Sequence, residues 1–183
     1  MRGVFKEISY ITISSFLGQF SSLLVVFYVA KALGPYGFGE LSYLLSLTIL
    51  FPVISGFGVP NSIFRFYNTI DDEDEKEKKI VLTTGFLFIL FSSLLLCTIT
   101  YFILGSIELY LISNYRFLFC VYGFIISLTY ILNTIIRSKR DYKKISIISI
   151  SHPLIKAIII LVIIFFSTLS VSSLLIANIL SEF

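Results

Sequence analysis

Long apolar runs, each separated from the next by a short polar stretch, fill most of this sequence. They cover 8–32, 41–66, 80–104, 115–136 and 145–168, and a shorter one begins at 171. A helix needs about 20 mostly apolar residues to cross a hydrocarbon core ~30 Å thick. Such helices satisfy their own backbone hydrogen bonds, which lipid cannot do. The expected fold is all-α: a polytopic membrane helix bundle of about five full spans and the start of a sixth. The chain is 57% hydrophobic and 14% charged, whereas soluble domains are roughly 45–50% apolar and 25% charged. That excess is too large for an ordinary soluble core. At the N-terminus, Arg2 and Lys6 precede an apolar run, and Ala30-Lys31-Ala32 mimics a signal-peptidase site. Signal cores are roughly 7–15 residues long. The run from 8 to 30 exceeds that and reads as a retained first span.

Basic residues set the expected orientation. Arg2 and Lys6 precede the first span, and Lys76, Lys78 and Lys79 lie between the second and third. Arg137, Lys139, Arg140, Lys143 and Lys144 lie between the fourth and fifth, while the alternate connections hold only Lys31 and Arg116. The positive-inside rule then puts the N-terminus in the cytoplasm, as expected of a multi-pass protein of the cytoplasmic membrane.

The most polar stretch runs from Asp71 to Lys79. Its Asp72-Glu73-Asp74 matches a D-x-D pattern that holds a metal and a sugar nucleotide in some glycosyltransferases. Embedded in a mixed-sign run, it reads as a solvated cap. Cys97 and Cys120 lie inside apolar runs and read as free buried thiols; their spacing carries no metal signal. Pro52, Gly56, Gly58 and Pro60 fall within the second span. Membrane helices tolerate such breakers where neighbours or water satisfy the freed backbone, so a bend is expected there, either facing a cavity or serving packing alone.

Residues 31–40 read K-A-L-G-P-Y-G-F-G-E. A dinucleotide-binding glycine loop needs a βαβ context and an acidic residue roughly 20 positions on, and neither is present. Gly34 is expected to end the first helix in a left-handed conformation. Pro35 then fixes a turn, and Gly37 and Gly39 allow a tight reversal. Leu33-Gly34-Pro35 followed by Gly37-Phe38-Gly39 resembles the L-G-P-x-G-[FY]-G turn of polysaccharide-type flippases. These are the Wzx-like branch of the multidrug/oligosaccharidyl-lipid/polysaccharide exporter superfamily. Tyr36 stands where that family often has Glu. Gly56-Phe57-Gly58-Val59-Pro60 through Arg65-Phe66 resembles the G-L-x-x-x-x-x-R-[FY] that closes the family's second span. The series of spans and basic loops extends the likeness along the chain.

The resemblance implies a transporter with two lobes of helices around a central cavity. Such proteins move an oligosaccharide linked to a polyprenyl phosphate or diphosphate across the cytoplasmic membrane by alternating access. This chain would form most of the N-terminal lobe, residues 1–183. The run from 171 to 183 gives roughly 20 Å of helix, short of the ~30 Å core. The chain is therefore expected to need a C-terminal lobe, as part of a truncated or split transporter. Further expected partners are membrane lipids and glycan-assembly proteins of lipopolysaccharide or exopolysaccharide synthesis. No nucleic acid, cofactor, metal or catalytic residue is expected.

Ionisable residues inside spans are costly and usually face a bundle interior or water. Lys156 lies roughly 16 Å into the span that begins near 145, close to mid-membrane, and is the principal candidate for a substrate cavity. No Asp or Glu falls near the centre of an assigned span, so the sequence offers Lys156 no evident internal counter-ion. His152 sits at i−4 and can share its face; it is the weak candidate for ion coupling, against a hydrogen-bonded structural role. Arg65, at the cytoplasmic end of its span, can meet a phosphate or snorkel to headgroups. Gln19, Asn61 and Asn133 complete the cavity candidates, and interhelical hydrogen bonding is the default role for these and for Asn178. The competing functions are a drug or metabolite exporter of the same superfamily, a membrane glycosyltransferase or polymerase, and a non-transporting fragment.

Overall fold

The computed structural model describes residues 2–71, 74–106, 114–139, 142–166 and 170–182. Its elements are α1 (Arg2–Thr48), α2 (Leu50–Gly56), α3 (Val59–Thr69), α4 (Glu75–Ser106), α5 (Arg116–Ser138), α6 (Tyr142–Phe166) and α7 (Val171–Ser181). Among the described residues every element is a helix. Four helical runs are long and apolar enough to cross a membrane: Ser15–Gly56, Glu75–Ser106, Arg116–Ser138 and Lys144–Val162. Val171–Ser181 is a shorter apolar helix. Their exposed faces are apolar. Phe16, Leu17, Phe20 and Phe27 on α1 are exposed, as are Phe88, Phe91 and Leu95 on α4, a surface suited to lipid and costly in water. The chain is a polytopic membrane helix bundle.

The run Ser15–Gly56 holds 42 residues, far more than one crossing needs. It is interrupted at Gly34, with φ 70 and ψ 178, a backbone region open essentially to glycine alone. The expected turn is shorter than the glycine pattern suggests. Gly37 and Gly39 lie within regular helix, and Gly34 is the one positive-φ glycine of the stretch. Pro35 explains this, because its fixed φ and missing N–H suit the first residue of a new helix. The second sequence segment, 41–66, is likewise not one helix. Phe57 (φ 44) and Gly58 (φ 79) both adopt left-handed backbone, so α2 ends and α3 restarts with Pro60 in its first turn.

The contacts divide the chain into two units, Met1–Tyr43 with Asp141–Phe183, and Leu44–Arg140. In the second unit, α2, α3, α4 and α5 pack together. Ile63, Ile89 and Ile131 form its buried centre, flanked by Val59, Val81, Leu82, Phe86 and Ile135. The helices meet where one of them lacks a side chain. A Cβ on Gly85 of α4 would collide with Ile63 of α3, and a Cβ on Gly123 of α5 would lie 2.5 Å from the Phe51 ring of α2. Small residues let membrane helices approach closely where no hydrophobic drive separates protein from lipid. Phe51 packs edge-on to Phe119, with centroids 5.4 Å apart at 80°.

Two polar contacts tie these helices. Ser92 of α4 donates its hydroxyl to the Ser55 carbonyl at 2.7 Å. That carbonyl is freed because the break at Phe57–Gly58 denies it the usual i+4 helical donor. Cys97 donates its thiol to the Cys120 carbonyl at 3.4 Å, and both cysteines are free thiols.

In the first unit, α1 touches α6 at one close point. A Cβ on Gly18 would lie 2.5 Å from the Ser149 carbonyl oxygen and 3.2 Å from Pro153 Cγ. Pro153 has no N–H to give to the carbonyl four residues back, and that carbonyl belongs to Ser149. Gly18 thus packs its backbone against the freed group, where an alanine would be refused.

Candidate functional site

The polar cluster of the first unit is built on α6 and α7, which pack side by side. His152 and Lys156 lie one turn apart on α6, four residues being the spacing that puts side chains on a common face. Lys156 is roughly 20 Å from the start of α6 and 15 Å from its end, and its side chain is half-buried. α7 begins at a capping box. The Ser173 N–H donates to Ser170 Oγ at 3.2 Å, and the Ser170 N–H donates to Ser173 Oγ at 3.1 Å. Two orphan donors are satisfied at once, which fixes where α7 starts.

The register follows from that start. Glu182 lies roughly 17 Å beyond the beginning of α7, and counting the same length back from the end of α6 reaches Ile155. Glu182 should therefore stand level with the stretch from His152 to Lys156, and it does. Its carboxylate is only 8% exposed and lies 3.4 Å from His152 Nε2. His152 in turn lies one helical turn from Lys156 on α6. The sequence reading placed no carboxylate beside this stretch of α6, and Glu182 supplies one next to His152. Glu182 sits outside every full span of the sequence, and only the fold-back of α7 brings it to mid-helix depth.

Asn178 precedes Glu182 by one turn on α7 and is 2% exposed. Its Nδ2 donates to the Leu174 carbonyl at 2.7 Å, and the Ser181 hydroxyl donates to the Asn178 carbonyl at 2.8 Å. Two buried side-chain atoms lack a hydrogen-bond partner among the described residues, Asn178 Oδ1 and His152 Nε2. The His152–Glu182 approach is thus an ion-pair distance without the alignment of a hydrogen bond. Buried polar atoms are almost always paired. Two orphans on facing helices, beside a lysine and a carboxylate, mark a seam that is polar and under-satisfied.

The other candidates are placed elsewhere. Gln19 follows Gly18 on α1 and is exposed. Asn61, Arg65 and Asn133 belong to the second unit, where Asn61 and Arg65 share the exposed face of α3 and Asn133 is half-buried on α5. That unit has its own polar recess of about 430 Å³, at the adjoining ends of α3, α4 and α5, lined in part by Asp71, Lys78 and Lys139. Arg65 is not among its lining residues. Asp72 and Glu73 of the D-x-D pattern lie outside the described residues; Asp74 accepts the Lys78 N–H at 3.2 Å, opening α4.

Sequence reasoning found Lys156 and His152 because their spacing is local. It missed Glu182, and the signal that could have found it was Ser170 and Ser173. Their S-x-x-S spacing dates the restart of the helix and hence its register against α6.

Compared with known protein families, residues 4–183 match the family described as polysaccharide biosynthesis protein. No curated protein and no solved structure matches the chain. The match covers nearly the whole sequence and agrees with the apolar helices, the glycine-marked breaks and the absence of strands among the described residues. The chain therefore belongs to the polysaccharide biosynthesis protein family of Wzx-like flippases and exporters.

Proposed function

We propose that this chain is the N-terminal lobe of a flippase that carries a polyprenyl-phosphate- or diphosphate-linked oligosaccharide across the cytoplasmic membrane, with its N-terminus in the cytoplasm. The observation that carries this reading is Lys156, a lysine at mid-helix depth in an otherwise apolar α6. A lysine at the centre of a span costs roughly 2.5–3.5 kcal/mol on insertion scales. That cost is offset where water, a carboxylate or a substrate phosphate meets it. A lipid-linked glycan supplies the phosphate, which a lysine binds as a point charge. Arg65, Gln19, Asn61 and Asn133 are the further cavity candidates, with amide side chains suited to sugar hydroxyls.

Transport in a complete transporter tests this. Surface-polymer display in a flippase-deficient strain should fall in the order wild type, Lys156→Arg, Lys156→Ala, Lys156→Glu, at equal protein abundance. Arg keeps the charge, Ala removes it and Glu inverts it. Unchanged display with Lys156→Ala would make Lys156 a structural residue and end this reading.

A further inference from the structure

The polar recess of the second unit brings together two lysines from different helices. Lys78 belongs to the first turn of α4 and Lys139 caps the end of α5. Both line the recess of about 430 Å³. Lys78 is half-buried, whereas its neighbours Glu77 and Lys79 are exposed. Its ammonium lies 5.5 Å from the centroid of the Tyr67 ring on α3, a cation–π contact that holds the long side chain against the protein. The remaining polar lining offers acceptors. Ser138, Thr69 and Asn68 each donate to a backbone carbonyl of their own helix, at 2.9, 2.9 and 2.7 Å, and keep lone pairs for an incoming hydroxyl. Asp71 adds a carboxylate. Cationic donors set among acceptors suit a phosphate, which accepts from ammonium, esterified to an alcohol whose hydroxyls donate.

The recess also stands at the membrane boundary. The apolar run of α4 begins at Ile80, two residues beyond Lys78, and that of α5 ends at Ile136, three residues before Lys139. Those separations are about 3 and 4.5 Å along the helices, which puts both lysines at headgroup level. Ile80 is 63% exposed and gives an acyl chain apolar surface next to the recess. Basic pockets between membrane helices are suited to anionic headgroups. We propose that this recess binds an anionic membrane lipid: Lys78 and Lys139 clasp the phosphodiester of the headgroup, and Asp71, Asn68 and Ser138 accept from hydroxyls on its alcohol. Two lysines and one carboxylate leave a single net positive charge in the lining, which matches a singly charged phosphodiester. The site is independent of Lys156 and of which face of the membrane it occupies.

Native mass spectrometry tests this on the full chain released from vesicles of equimolar phosphatidylglycerol and phosphatidylcholine with matched acyl chains. The wild type should retain phosphatidylglycerol over phosphatidylcholine by about tenfold, as two basic groups opposed by one acidic group allow. Lys78→Gln with Lys139→Gln should abolish that preference. Lys76→Gln with Lys79→Gln removes the same charge from exposed positions of α4 outside the recess lining and should leave the preference within about twofold of wild type. Lys78→Arg with Lys139→Arg should preserve it. Phosphatidylmethanol carries the same charge without headgroup hydroxyls and should be retained about threefold less than phosphatidylglycerol. Added glycerol 3-phosphate should not displace the lipid. No preference in the wild type would overturn the proposal, and equal losses in the two glutamine pairs would reduce it to diffuse surface charge. Loss in the arginine pair would assign the effect to folding and overturn it. Equal retention of phosphatidylmethanol would remove the hydroxyl contacts it rests on, and displacement by glycerol 3-phosphate would make this a site for soluble phosphate instead.

Discussion

Replacing Gly123 by alanine tests the closest helix contact of the second unit. The new Cβ would lie 2.5 Å from Phe51 Cδ1 and Cγ, and 2.7 Å from Cδ2. Carbon pairs rest about 3.5–4.0 Å apart, so the ring must retreat by about 1 Å. It has little room to do so, being 4% exposed and held edge-on by Phe119. Overpacking of this kind costs ~1–3 kcal/mol. Alanine recovers ~1 kcal/mol of helix propensity relative to glycine. With the ring boxed in, the overpacking cost lies at the upper part of that range, ~2–3 kcal/mol, so the net loss is on the order of 1–2 kcal/mol, which multiplies the opened population about fivefold to thirtyfold. Cys120 reports on that opening because it neighbours Phe119 and is 2% exposed. In a Cys97→Ser background, the rate of Cys120 modification by a maleimide fluorophore in detergent should rise by that factor. The rate tracks the open population when reclosing is fast relative to labelling. In a Phe51→Leu background, Gly123→Ala should cost less than in the wild type, because the smaller side chain vacates the space. A rate that is unchanged or lower in Gly123→Ala, or a cost unaffected by Phe51→Leu, would refute the contact.

Three further outcomes are expected. Ser92→Ala removes the hydroxyl that satisfies the Ser55 carbonyl; with interhelical hydrogen bonds in membranes averaging ~0.6 kcal/mol, it should raise Cys120 labelling roughly threefold, and Ser92→Thr should restore it. For topology, an impermeant thiol probe applied outside should label Tyr36→Cys and miss Lys139→Cys in a chain with both native cysteines replaced by serine. Lys139 is used because the neighbouring Ser138 is only 1% exposed and would escape a probe from either side; the reverse pattern would invert the proposed orientation. Asp72→Asn with Asp74→Asn in a complete transporter should leave polymer display intact, whereas loss at normal abundance would favour a metal-dependent transferase.

The parts of this fold that were legible in the sequence are those governed by neighbours in the chain. Hydropathy over about twenty residues identifies a helix that can live in lipid whatever it packs against. The glycine–proline pair at 34–35 likewise announces a break, since few other residues reach φ 70 with ψ 178. The reading of Gly37 and Gly39 went astray because glycine permits a turn without requiring one. Once Pro35 has opened a helix, these glycines simply continue it. In the second apolar segment four breakers were visible, yet only at the Phe57–Gly58 step does the backbone turn left-handed; Pro52 falls early in α2, just after the interruption at Ile49, where a missing N–H costs little.

Lys156 and His152 share a face by local spacing and were visible on that ground alone. Glu182 meets them only through the register of α7 against α6, which no window of neighbouring residues encodes. That register is sensitive. Moving the start of α7 by one residue would turn Glu182 by about 100° around the helix axis, taking its carboxylate off the face that His152 occupies. The hydrogen bonds that set the start are those between Ser170 and Ser173, far along the helix from the charges they align. The capping box is therefore as much a determinant of the polar seam as the charged residues in it, and Ser170→Ala together with Ser173→Ala should loosen the His152–Glu182 pairing without touching either residue.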